Sequence, residues 1–260
     1  MTLVVLGDVM VDVIARMSGP LARGSDTPAR VCMGGGGSAA NVAAWAAALG
    51  TPVSLVCRVG DDVRGRGAVE ELAGGGVQVH AEVDGERPTG TCVVLVEPGG
   101  ERTMLPDPGA NDGPLPEIPL GSHLHVVGYA LLRDGPRASA LAAIERARAA
   151  GMTVSVDPSS WALIRAGAIP DVDLLLPNER EAEVLGEREG MVVKLGAAGA
   201  RWGAVRVPAV PVEVVDTTGA GDAFAAGLLT ARLSGADARA SLAAGCAAAA
   251  RAVARVGARP

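Results

Sequence analysis

The chain has 260 residues, 49% of them hydrophobic, with a formal net charge of −6 and only five aromatics, so its core must be built from Ala, Val and Leu. Its 23 basic residues are spread thinly, which excludes an electrostatic footprint for nucleic acid. No stretch reaches the roughly 18 uninterrupted apolar residues of a membrane span. The first residues carry Asp8 and Asp12 where a leader would carry basic groups, so a first strand in a cytoplasmic protein is expected. Cys32, Cys57, Cys92 and Cys246 are scattered without metal-ligand spacing, which predicts reduced thiols and no zinc.

In chain order, apolar β-type runs at 3–6, 53–57, 77–80, 123–127, 153–156, 173–176 and 191–195 alternate with helical runs at 38–49, 62–73, 136–150, 179–185, 220–232 and 236–255. That alternation predicts an α/β fold on a mostly parallel sheet. Two patches, about 11–33 and 89–105, show β-type alternation and a Gly-Gly turn but no helix. They are read as covering strands, a small lid able to keep water from transfer chemistry.

Five places could carry chemistry. "GGGGSAANVAAWAAALG" (34–50) runs glycines into a helix: Gly36 and Gly37 permit close backbone approach, Ser38 suits a helix cap, and Asn41 in the first turn suits a polyhydroxyl ligand. A plain Gly-rich loop before an Ala-rich helix would look the same. Asp12 follows the first strand, near the crevice where α/β sheets bind ligands, and its carboxylate could accept sugar hydroxyls or simply be solvated. Asn178 and Glu181 share one face of a short helix and suit water-mediated Mg²⁺, or else form an ordinary helix start. Lys194 ends a strand that enters the Gly196–Gly199 turn, which lacks the following Gly-Lys-Ser/Thr of a Walker loop.

"VVDTTGAGDAF" (214–224) places Gly219, Ala220 and Gly221 at a helix start, where bare N–H groups make an anion site. Asp222, in the first turn, is aimed at the same place and could take a proton from an attacking hydroxyl, or could merely complement the helix dipole.

These residues resemble the ribokinase-like (PfkB) carbohydrate kinases. One signature is matched by Gly36 through Ala43, with Gly50 and Gly60, and the other by Asp216 through Asp222, with Ala226 and Gly227. Asn178 to Glu181, the lid-like segment 89–111 and "VARVGARP" (253–260) fall in the same order, so the likeness covers nearly the whole chain. It implies a single kinase domain over 1–260, a three-layer sandwich with a small β lid, and transfer of the ATP γ-phosphoryl group to a primary alcohol.

By that likeness Asp222 is the base and Gly219, Ala220 and Gly221 the anion hole. Asp12, Gly36, Gly37 and Asn41 hold a small-molecule sugar. Asn178 and Glu181 act on Mg²⁺, while Lys194, Gly196, Gly199 and Cys246 line the nucleotide. K⁺ is a further candidate at Asp216 with carbonyls near Thr218, Arg255 and Gly257, and a homodimer through the lid is expected.

Some residues depart from the family. Ser38 stands where ribokinases proper carry Lys, and Tyr129 is nearest to where they place a substrate-binding Glu, so the likeness does not carry over pentose specificity. Only 13 residues separate Pro177 from Met191, close to the minimum for a parallel crossover, and the further helix usual in the family is not found after 260. A nucleoside kinase or a non-catalytic sugar sensor on the same fold are the alternatives. A Rossmann dehydrogenase is disfavoured, because "GDVMVD" replaces the Gly-x-Gly-x-x-Gly that should follow strand one.

Overall fold

The computed structural model of the protein describes residues 1–165 and 167–260. From β1 (Leu3–Leu6) the chain leaves for β2 (Met10–Met17) and β3 (Ala29–Gly36), then returns through α1 (Ser38–Ala48) to β4 (Val53–Gly60). It passes α2 (Val63–Gly74) to β5 (Gln78–Asp84), and a second excursion holds β6 (Gly90–Val96) and β7 (Arg102–Asp107). There follow β8 (His123–Val127), α3 (Tyr129–Leu132), α4 (Asp134–Ala149), β9 (Thr153–Asp157), β10 (Leu174–Leu175) and α5 (Glu179–Leu185). The chain continues with β11 (Val192–Lys194), β12 (Ala200–Trp202) and β13 (Val205–Val207), then α6 (Ala220–Leu233) and α7 (Ala238–Val253).

The main sheet runs β10–β9–β8–β1–β4–β5, with every neighbouring pair parallel. Both its faces are covered. On β1, Leu3 and Val5 belong to one apolar cluster with Trp45, Phe224 and Leu228, whereas Val4 and Leu6 belong to another with Leu131 and Ile144. A strand buried on both faces reads as a continuous apolar run, which is why β1 was visible in the sequence. β11 lies beside β10 through the parallel bridge Leu175–Met191, so the 13-residue crossover is completed by the seven-residue α5.

α6 and α7 approach closely through small residues: a Cβ on Gly227 would stand 2.6 Å from Ala244 O, and one on Gly245 2.8 Å from the Phe224 ring. Trp45 Nε1 donates to Ala258 O at 2.9 Å, which ties the segment after α7 to α1.

The lid is a separate sheet in the order β3–β2–β6–β7, in which β2 pairs parallel with β6 and antiparallel with β3. Met10, Ile14, Cys92, Val94 and Val96 pack together on it as a small core of their own. Gly34, Gly35 and Gly36, expected in a loop, continue β3 instead. The outer strands β3 and β7 expose Val31, Met33, Met104 and Leu105, each more than half accessible.

From β1 the chain steps to β4 and β5, then resumes with β8 on the other side of β1. The switch point therefore lies at the carboxyl ends of β1 and β8, where ligands bind in open α/β sheets.

Candidate active site

The glycine run before α1 clears room for charged side chains. A Cβ on Gly36 would collide with the Asp12 carboxylate, and one on Gly35 with the Arg259 guanidinium. Gly37 has φ +89° and its Cβ would meet Asp8 O at 2.6 Å, so both conformation and space favour glycine there. Asp8 accepts the N–H groups of Ser38 and Ala39 at 3.3 Å each and so holds the start of α1.

Asp12 on β2 is buried, and no hydrogen bond from the described residues reaches its carboxylate. Burial pushes its pKa up to about 6, opposed by Arg259 and reinforced by Asp8. It is an acceptor with free lone pairs under the lid.

Asp222 sits in the first turn of α6 and is half-buried. Ser38 Oγ donates to its Oδ1 at 2.7 Å and Asn41 Nδ2 to its Oδ2 at 2.8 Å. The expected helix cap at Ser38 is corrected: Gly37 is the N-cap residue, and the Ser38 hydroxyl is turned onto Asp222. Asn41 is buried and likewise faces Asp222, while its Oδ1 accepts from Arg259 Nε at 3.4 Å.

Burial raises the Asp222 pKa to about 7, with Asp157 adding to the rise and Ser38, Asn41 and Lys194 opposing it. A carboxyl that titrates near neutrality can take up and release a proton under working conditions. Around it, Gly219 has φ +73° and no side chain caps α6. No partner among the described residues takes the N–H groups of Gly219, Gly221 or Asp222. These groups form the open, positive end of a helix dipole.

Lys194, at the end of β11, forms an ion pair with Asp157, at the end of β9. Its ammonium lies 3.5 Å from where a Gly221 Cβ would be, so it borders the start of α6. Burial pulls its pKa down, but Asp157, Glu181 and Asp222 outweigh burial and the ammonium stays charged.

Asn178 and Glu181 do form a helix start. Asn178 Oδ1 accepts from Glu181 N and Glu181 Oε2 accepts from the Asn178 N–H, both at 2.9 Å. Glu181 is nevertheless buried beside Asp157 and Lys194, and burial followed by Asp157 raises its pKa. No cluster of three His, Cys, Asp or Glu side chains able to hold a metal alone occurs among the described residues. Two carboxylates with hard oxygen donors do fit a hydrated Mg²⁺ that arrives with phosphates.

Other expected residues divide. The Gly196–Ala198 turn is exposed at the end of β11 and free to meet a ligand. Gly199 is needed by the fold, since with φ +94° its Cβ would collide with Val207 O. Cys246 is corrected: it is packed into the core and does not line the cleft, because its position on α7 faces inward.

The segments expected to hold K⁺ are brought together, with the N–H groups of Val215 and Asp216 donating to Val253 O. The Asp216 carboxylate, however, does not fit a cation. Its Oδ1 accepts from Thr218 N at 2.8 Å and Thr218 Oγ1 at 2.7 Å, and pairs with Arg102 at 3.0 Å. Its Oδ2 accepts from Gly257 N at 3.2 Å and from Arg16 at 3.5 Å.

Asp157, Arg16, Arg102 and Arg259 were not anticipated. Only Asp157 had a signal, as an acid at the carboxyl end of a parallel strand. A surface cavity of about 990 Å³ lies at the opposite end, beside Gly151, Asp173 and Gly190 ahead of β9, β10 and β11. It contains none of these groups.

A carboxyl that titrates near neutrality in the first turn of an uncapped helix, a lysine beside it and a lid sheet on a ribokinase-like fold suit a small-molecule phosphotransferase. The family model "pfkB family carbohydrate kinase" matches residues 1–260. The chain belongs to that family. It is 34% identical to a fructokinase of Klebsiella pneumoniae over 86% of this chain and 82% of the relative. It is 35% identical to an ATP-dependent ribose-1-phosphate kinase of Halopiger xanaduensis, over 78% and 75% respectively. The solved structure of Arabidopsis thaliana ribokinase complexed with ribose and ATP superposes with a TM-score of 0.78 at 26% identity, covering 98% of this chain and 93% of that one.

Proposed function

We propose that the protein transfers the γ-phosphoryl group of ATP to a primary hydroxyl of a sugar or sugar acid of the ribose, fructose or 2-keto-3-deoxygluconate type. The observation that carries this reading is Asp222, oriented by Ser38 and Asn41 against the unpaired amides of α6. Asp222 accepts the hydroxyl proton as the alcohol attacks phosphorus. The N–H groups of Gly219 and Gly221, with the Lys194 ammonium, hold the charge that develops on the transferred group, whereas the Ala220 N–H, also expected in the anion hole, donates to Thr217 O at 3.4 Å.

Asp12 accepts substrate hydroxyls, and Gly36 and Gly37 let the sugar approach the backbone. Asn41 acts mainly by orienting the base. Asp157 and Glu181 are the residues that would hold Mg²⁺ through water; when bound, the ion offsets the charge of the nucleotide phosphates. The exposed Gly196 turn is the nucleotide side.

The exposed apolar residues of β3 and β7 support a homodimer through the lid, since Val31, Met33, Met104 and Leu105 would otherwise face water. No helix among the described residues is long and apolar enough to cross a membrane, and all four cysteines are free, which suits the cytoplasm. ATP turnover against a panel of ribose, fructose, 2-keto-3-deoxygluconate and nucleosides tests the reading. ATP-dependent phosphorylation of a sugar or sugar acid is expected; binding without turnover throughout the panel would overturn it in favour of a sensor.

A further inference from the structure

Asp216, buried just ahead of the anion loop, is held by two arginines that both come from the lid. Arg102 on β7 spans three acceptors with one guanidinium: Nη1 donates to Thr218 Oγ1 at 2.6 Å, and Nη2 donates to Thr217 Oγ1 at 2.8 Å and pairs with Asp216 Oδ1 at 3.0 Å. Arg16 on β2 reaches Asp216 Oδ2. Thr218 immediately precedes Gly219, so the planar fork of Arg102 fixes the residue on which the open end of α6 begins. Burial alone would raise the Asp216 pKa, yet the donors from Thr218, Gly257 and Arg102 hold it below the usual range, so it stays ionised.

We infer that Arg102 is a positioning residue for phosphoryl transfer: it ties the lid to the anion loop and compensates Asp216 with the chain's own guanidinium in place of a bound monovalent cation. The inference rests on the kinase reading given above. A cation at Asp216 needs lone pairs, and here N–H, O–H and guanidinium donors occupy both oxygens. An uncompensated Asp216 would oppose the phosphates that the amides of α6 must gather. The latch also joins two proposed parts of the site. Asp12 lies on β2 with Arg16, and β6 hydrogen-bonds both β2 and β7, so placing the lid over substrate and setting the anion loop become one movement.

The test compares the wild type with Arg102→Gln and Arg102→Lys in K⁺ and in tetramethylammonium, each at about 100 mM so that screening is equal. Wild-type kcat is expected to differ by less than about twofold between the two salts. Arg102→Gln is expected to lose about tenfold or more in kcat with sugar KM held within a few-fold, and to recover part of the loss in K⁺ only. Arg102→Lys, keeping charge but not the fork, should fall between them. Thermal melts give a second readout that needs no turnover: Tm of Arg102→Gln rises in K⁺ relative to tetramethylammonium, and that of the wild type does not.

Activation of the wild type by K⁺ beyond about twofold, or an Arg102→Gln variant with unchanged kcat, overturns the inference. If no sugar is turned over by the wild type, the kinase reading fails. The melts still decide the latch, which falls if both proteins respond alike to the two salts.

Discussion

Replacing Asp222 by Asn separates the proposed base from an ordinary helix-dipole acid. The change is nearly isosteric, and the structure can accommodate it: the new amide oxygen can accept from Asn41 Nδ2, and the new NH₂ can donate to Ser38 Oγ, which then acts as acceptor. What disappears is the proton acceptor, worth typically about 10²- to 10⁴-fold in rate, or roughly 3–5 kcal/mol of barrier. Nucleotide and sugar affinities should stay within a few-fold.

The pH dependence has a definite sign. With its pKa raised to about 7, Asp222 is protonated on the acid side, so wild-type kcat falls as pH drops through that value. It should be about tenfold lower one unit below the pKa. The stability effect runs the other way. A folded carboxyl with a raised pKa keeps a proton that the unfolded chain releases, so its contribution is lost as pH rises from about 4 to about 7. An asparagine escapes that loss, and the variant should melt no lower than the wild type at pH 8. Steady-state kinetics and a melt on this one variant suffice. A variant that is active but less stable by about 1 kcal/mol would refute the reasoning, because that is the signature of a dipole-complementing residue.

Asp12→Asn should raise sugar KM by about 10- to 100-fold, the range for hydrogen bonds to a charged group, while ATP binding is spared. Wild-type sugar affinity should weaken as pH falls through about 6, and a flat KM profile would remove Asp12 from the sugar site. His123 and His125 on β8 share Ser155 through hydrogen bonds of 2.7 and 2.8 Å, and burial lowers both pKa values to about 3. The unfolded chain takes up protons below about 6.5 and the folded one does not, so stability present above 6.5 is lost as pH falls, by about 1–2 kcal/mol per histidine by pH 5. Melts that do not change between pH 7 and 5 would contradict this. Val31→Lys with Met104→Lys should turn a dimer into a monomer by light scattering; a monomeric wild type at micromolar concentration with full activity would defeat the lid interface.

The proposed anion loop is legible in the sequence because its requirements are local: small residues at a helix start and an acid in the first turn. The main-sheet strands could be read for a similar reason, since burial on both faces leaves a continuous apolar run such as 3–6. What escaped is non-local. Arg102 meets Thr218 across 116 positions and Arg259 meets Gly36 across 223, and an arginine in a strand or loop gives no sign of which distant carboxylate it will find. Ser38 was misread because a serine before an Ala-rich helix is usually a cap; nothing near it in sequence reveals Asp222 opposite. Cys246 was assigned by family position alone, and packing in the core accounts for it.

The hydrogen bonds that orient Asp222 come from Ser38 and Asn41, more than 180 positions away, and Arg259 closes over Asn41 from farther still. A site assembled from such distant parts bears on how the protein is made. Loop closure has to be completed before any of these contacts can form, which favours slow folding. During synthesis, β1 through β5 can collapse long before α6 leaves the ribosome, so a nascent chain can hold much of its parallel sheet while lacking Asp222 and the proposed anion hole. On the proposed reading, the site for sugar and nucleotide is complete only after Arg259 has docked on Asn41 and Gly36. Ligand would then rescue late folding intermediates and do little for early ones, and a chaperone dependence, where one exists, should fall on species that still expose the face of the sheet on which α6 and α7 pack.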